Sequence, residues 1–200
     1  MNRAFACLFA VVFAGSASAR DFTGTDKTDL DRVSAALSAV HTLRAEFTQI
    51  GPDGKLDQGV VYIKKPGEMR FEYAAPSPTL VVCDGLDIAV FNRALHTVDR
   101  YPLSATPLNI LLSDHANLGG SNAVTGIAHE PGALIVKARS NDRRATGDIA
   151  IVFSDPGLEL RQWTITDAQG LITTVSLRNA QQGIDLPDSI FALRGNKTQP

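Results

Sequence analysis

The chain has 200 residues, 44% of them hydrophobic and 20% charged, with a formal net charge of −2. That length holds one domain, or at most two small ones, with a sizeable core. The near-neutral balance and the lack of a dense basic run exclude a nucleic-acid footprint, and two cysteines exclude a disulfide-rich scaffold.

The first nineteen residues read as an export signal. Arg3 supplies the positive start, Ala4 to Ala14 an apolar run too short to span a bilayer as a permanent helix, and Ala17-Ser18-Ala19 a small-x-small cleavage pattern. A short membrane anchor or a buried helix are the other readings, but the three regions stand in the order that export requires. Cleavage would start the mature chain at Arg20, making residues 20–200 one domain. Cys7 would leave with the signal, and Cys83, alone in an apolar strand, reads as a buried inert thiol. No cysteine stands at the cleavage site, so the chain does not read as a lipoprotein itself.

After a polar leader from Asp21 to Lys27, Thr28 to Val40 reads as a helix. Leu30, Val33, Leu37 and Val40 form one apolar stripe, and Thr28 with Asp31 makes a loose capping box. Thr42 to Ile50 reads as a strand ending at the Gly51-Pro52-Asp53-Gly54 turn. The stretch from Gln58 to Asn92 then reads as four strands: Gly59–Lys64, Met69–Ala74, Thr79–Cys83 and Leu86–Asn92. Prolines stand only at strand ends, and Asp84-Gly85 is a hairpin turn. In the second of these, Met69, Phe71 and Tyr73 alternate with Arg70 and Glu72, the period of a sheet with one apolar and one wet face. Such a face must be covered, close on itself, or hold an apolar ligand.

Leu95 to Tyr101 reads as a further strand. Thr106-Pro107 reads as the start of a short helix, apolar nearly all round through Leu108, Ile110, Leu111 and Leu112. After a Gly-rich linker from Asn117 to Asn122, five more strands are expected: Val124–His129, Leu134–Ser140, Asp148–Phe153, Leu160–Thr166 and Leu171–Asn179. Asp188 to Leu193 is a last short element before a frayed tail. With about ten strands, two helices and no βαβ alternation, the expected fold is mainly β. It is a highly curved antiparallel sheet forming an open barrel, with α-helices as a lid over a hydrophobic cavity.

Catalytic signals are weak. His41, His96, His115 and His129 lack metal-site spacing, and no metal or cofactor is expected. Ser113-Asp114-His115 has the letters of a hydrolase triad, but adjacent residues cannot converge as one; helix-end capping accounts better for Ser113 and Asp114. No phosphate-cradling loop or nucleophile elbow occurs, so no enzyme is expected. Arg143-Arg144 reads as a solvated turn. Lys64 and Lys65 must point to opposite faces, so one joins the apolar side chains or stands at their rim, where a cation can meet loop carbonyls or a partner's carboxylate.

Several motifs in series resemble the LolA family of periplasmic lipoprotein carriers. They are Leu37 with Thr42-Leu43-Arg44-Ala45-Glu46-Phe47-Thr48-Gln49, the Lys64–Tyr73 block, Val82-Cys83-Asp84-Gly85, Thr106-Pro107-Leu108, and Asp185 to Phe191. The resemblance covers nearly the whole mature chain. It implies a monomeric carrier in the periplasm that takes triacylated lipoproteins from an inner-membrane lipoprotein-releasing ABC transporter and passes them to an outer-membrane, LolB-like acceptor. It also implies that no reaction is catalysed and no cofactor used. The expected cavity wall comprises Val61, Ile63, Met69, Phe71, Tyr73, Val82, Val90, Leu108, Leu111 and Leu112. Met69 stands where the family often has a phenylalanine that contacts the transporter. Lys65 stands where it commonly has an arginine holding the lid, a change that keeps the charge and loses the bidentate fork. Alternatives from other classes are a binder of another small lipid, a LolB-like acceptor or sensor domain of the same fold, and a periplasmic hydrolase.

Overall fold

A computed structural model describes residues 22–120, 123–140 and 147–193. The expected signal segment, the Arg143-Arg144 pair and the tail beyond Leu193 lie outside them.

The first helix, α1 (Gly24–Ala39), begins four residues before the sequence expectation. The apolar stripe begins only at Leu30, but the cap, Thr23, lies about two turns upstream. The Thr23 hydroxyl accepts from the Asp26 N–H at 3.2 Å, and the Asp26 carboxylate accepts from the Thr23 N–H at 2.9 Å. Thr28, the expected cap, sits inside the helix and donates to the Gly24 carbonyl at 3.0 Å.

Eleven strands follow: β1 (Thr42–Ile50), β2 (Leu56–Lys64), β3 (Glu68–Tyr73), β4 (Thr79–Asp84), β5 (Asp87–Asn92), β6 (Thr97–Pro102), β7 (Val124–Glu130), β8 (Ala133–Arg139), β9 (Asp148–Ser154), β10 (Leu160–Thr166) and β11 (Ile172–Gln182). A 3-10 turn at Leu103–Ala105 and a short helix, α2 (Leu108–Leu112), lie between β6 and β7. All strands belong to one antiparallel sheet in the order β6-β5-β4-β3-β2-β1-β11-β10-β9-β8-β7. Two meanders are thus joined where β1 pairs with β11, and the edge strands β6 and β7 do not pair, so the barrel is open.

Several boundaries move for local reasons. The Asn92 side chain accepts from the N–H groups of Ala94 and Leu95, which draws Leu95 into the turn and delays β6 to Thr97. Thr106 spends its hydroxyl on the Leu103 carbonyl, 3.0 Å away, so it closes the 3-10 turn instead of capping α2; Pro107 takes the cap position.

The inner face carries the main core. Phe47 from β1, Val61 and Ile63 from β2, Met69 and Phe71 from β3, and Trp163 from β10 share it with Leu30, Val33 and Leu37 of α1 and Leu108, Leu111 and Leu112 of α2. The outer face carries a second, smaller cluster: Leu80 and Val82 of β4, Ala89 and Phe91 of β5, and Leu193. The chain after β11 straps over that side. Lys64 Nζ donates to the Leu186 carbonyl at 3.1 Å and pairs with Asp188, while Arg70 Nη1 donates to the Ile190 carbonyl at 3.0 Å.

Candidate functional site: the helix-covered inner face

The cross-strand register assigns each expected wall residue to a face. Val61 lies opposite Phe71, Ile63 opposite Met69, and Gly59 opposite Tyr73, so these five side chains share the inner face. Val61, Ile63, Met69 and Phe71 are buried, as are Leu108, Leu111 and Leu112 of α2, while Tyr73 and Val90 are partly buried against the same core. Val82 is a correction. It pairs with Arg70 across β3–β4 and with Ala89 across β4–β5, which turns it to the outer face beneath the C-terminal strap. Its neighbours Val81 and Cys83 take the inner positions, opposite Phe71 and Met69.

Two aromatic residues that the sequence reading left out stand at the centre. Phe47 lies edge-on to Phe71 with ring centroids 4.8 Å apart and to Tyr73 at 5.1 Å; Trp163 meets Phe71 at 6.2 Å. Both were legible as inward positions, since Leu43, Ala45 and Phe47 alternate along β1 and the lone tryptophan lies in a strand. The Tyr73 hydroxyl donates to the Gln49 side chain at 2.8 Å, and burial raises its pKa to about 12. Burial likewise raises the Cys83 thiol to about 11, in accord with an inert thiol.

The cover is fastened by a small number of polar contacts. Lys65 is the inward member of the lysine pair and is 9% exposed. Its Nζ donates to the Leu37 carbonyl at 2.6 Å, at the C-terminal end of α1, an oxygen that also accepts from the Val40 N–H at 3.3 Å. Two residues on, the Gly67 N–H donates to the carbonyl of Leu112, the last residue of α2, at 2.9 Å. One turn between β2 and β3 therefore holds the ends of both covering helices. Gly67 has φ of +79° and a Cβ there would lie 2.8 Å from the Gly85 Cα, so glycine is required on both counts.

Near its other end, α1 is held by Asp29. That carboxylate pairs with His129 Nε2 at 2.8 Å and accepts from Arg32 Nη1 at 2.6 Å. The His129 contact, then Arg32, hold its pKa below the usual range against the effect of burial. Asp29 and Lys65 are the two buried charged side chains among the described residues, one toward each end of the helix. Along its length, Ser38 and Ser34 accept from the N–H groups of Ala116 and Leu118 at 3.1 and 2.9 Å.

The remaining chemical candidates do not converge. Ser113 donates to the Ile110 carbonyl, a helix-end contact, and Asp114 lies 3.5 Å from its neighbour His115. Among the described residues no group of three or more His, Cys, Asp or Glu is placed to hold a metal. No described helix is long and apolar enough to cross a membrane.

An open antiparallel barrel with helices packed over its apolar inner face defines the class of fold. The chain belongs to the LolA family: the family profile, described as outer membrane lipoprotein carrier protein LolA, matches residues 38–194. An outer-membrane lipoprotein carrier protein from Methylococcus capsulatus is 25% identical over 175 residues, 83% of each chain. One of the same description from Chromobacterium violaceum is 26% identical over 193 residues, 92% of each chain. A domain from Vibrio parahaemolyticus, proposed to sort outer membrane lipoproteins, shares the fold with a TM-score of 0.51 at 9% identity, covering 85% of this chain and 97% of that one.

Proposed function

We propose that this protein is a periplasmic carrier that takes the acyl chains of lipoproteins released from the inner membrane and delivers them to the outer membrane, without catalysing a reaction. Residues 1–19 are then a cleaved export signal, and residues 20–200 the working domain. The observation that carries the reading is the inner face itself. Val61, Ile63, Met69 and Phe71 are covered by helices hydrogen-bonded at a few points and not by further strands. Moving α1 and α2 aside bares a continuous apolar wall and breaks no sheet pairing.

The energetics suit the task. Three acyl chains carry on the order of 40 methylenes, each worth about 0.8 kcal/mol when kept from water. Such a cargo can displace helices whose own apolar stripe fills the same space, and the helices can return when it leaves. Lys65 fastens the end of α1 in this reading, and Met69, buried on the inner wall, meets the releasing transporter once α1 moves aside. The partners are that transporter, the triacylated cargo and a LolB-like acceptor where one is present.

Native mass spectrometry of the protein purified from its own periplasm tests the reading. Complexes with acylated lipoproteins are expected. Free fatty acid or another small lipid in their place would replace the carrier by a small-lipid binder of the same fold.

A further inference from the structure

Lys65 is an unusual fastener because it is buried without an ion-pair partner among the described residues. Its ammonium is bonded to one backbone carbonyl, that of Leu37, and makes no ion pair with the described residues. The carboxylate whose field reaches it is Asp114, on the loop after α2. The other charged groups of its hairpin, Lys64 and Glu68, pair with each other in register on the outer face, and Lys64 is taken up by Asp188. Just past α1, the His41 carbonyl accepts from the Lys65 backbone N–H and not from the ammonium, and the last turn of the helix holds no basic residue. The helix C-terminus favours a cation, but removal from water disfavours one more strongly.

We infer that Lys65 opposes the lid as well as latching it: in its protonated form it biases α1 toward opening, and loss of that proton favours closure. This rests on the reading of α1 as a lid. In the closed structure burial lowers the Lys65 pKa from 10.5 to about 8; with the lid open the amine meets water and returns toward 10.5. Closing therefore releases a proton between those limits, and the closed state gains as pH rises from about 8 to 10.5. Below about 8 both states are protonated, and the desolvation cost of the closed ammonium is fully present. The helix is thus held near the point of release at neutral pH. An arginine at this position would keep its charge throughout, so the dependence belongs to lysine.

The experiment measures binding of the neutral apolar probe N-phenyl-1-naphthylamine from pH 7 to pH 10. It compares the wild type with Lys65→Arg, which is always charged, and Lys65→Met, which never is; thermal unfolding of each is followed in parallel. The expected result is a fall in wild-type affinity of roughly tenfold or more across that range, out of a linkage limit of a few hundredfold, with near-flat profiles for both variants. Lys65→Met also binds more weakly than wild type at pH 7 and melts higher, the gap in Tm closing by pH 10. Parallel profiles in all three proteins would overturn the inference. If none binds the probe at any pH, the carrier reading fails instead. The Tm gap between wild type and Lys65→Met then decides: a gap that narrows with pH upholds the coupling, and a constant gap overturns it.

Discussion

The ring of Phe47 meets Phe71 edge-on, with centroids 4.8 Å apart and planes at 78°, across a strand that contributes no side chain at the crossing. Gly59 of β2 lies opposite Phe47 on one side and Tyr73 on the other. Without a Cβ there, the Phe47 ring can lie down over β2 and reach the β3 aromatics. The aromatic centre of the inner face is therefore built from a phenylalanine on β1 and a missing side chain on β2, as much as from β3 itself.

Gly59→Ala tests that dependence. An added Cβ would lie 2.0 Å from the Glu72 carbonyl oxygen and 2.8 Å from the Phe47 ring. The first neighbour is backbone, so the β2–β3 ladder itself must shift, and a loss of about 1–3 kcal/mol is expected. Denaturant unfolding checks it; a variant within error of wild type would show that β2 yields freely at this point.

The Asp29 anchor sets the acid behaviour. Its folded pKa lies below the ordinary value of 3.8, so its stabilising contribution is complete above that value and is lost as pH falls through the lower, folded one. Wild type should lose stability below about pH 4 more steeply than Asp29→Asn, and should be the more stable of the two at pH 7. Urea midpoints at pH 7 and pH 3 report the difference. Equal slopes in the two proteins would remove Asp29 from the account.

The outer cluster should govern stability without touching the proposed binding face. Phe91 is 6% exposed and packs with Leu80, Val82 and Leu193, on the side away from α1. Phe91→Ala is expected to cost about 3–5 kcal/mol and to leave probe binding per folded molecule unchanged. Loss of binding in molecules that circular dichroism shows to be folded would mean that the two faces are coupled through the sheet.

Strand alternation carried most of the fold into the sequence. β3 reads cleanly because Met69, Phe71 and Tyr73 are apolar while Arg70 and Glu72 are not. β4 does not, because Leu80 and Val82 are apolar on one face and Val81 and Cys83 on the other. Both faces of β4 are covered, one by the core and one by the C-terminal strap, so periodicity there is silent and the face of Val82 is set by register alone. The start of α1 was hidden for a related reason: its first turn and a half carries a cap and no apolar stripe. The lysine pair was half legible. Alternation required one of the two to point inward, and the pairing of Lys64 with Thr42 and Glu68 decides that it is Lys65.

Phe71→Glu addresses the binding face directly. Phe71 is 5% exposed, between Phe47, Tyr73 and Trp163, and opposite Val61 and Val81 on the neighbouring strands. A carboxylate cannot stay ionised among those groups without a partner, so it must take up a proton or swing toward the seam beneath the helices, where water can reach it. The sheet pairing on either side of β3 uses backbone groups alone, so the strand itself has no reason to leave. The variant should fold with its lid loosened and its wall carrying a polar group at the centre. Binding of N-phenyl-1-naphthylamine, and of a triacylated lipopeptide, is expected to fall at least tenfold while the far-ultraviolet circular dichroism stays close to wild type. A folded Phe71→Glu protein that binds both as well as wild type would move the binding surface away from the inner face of β2 and β3.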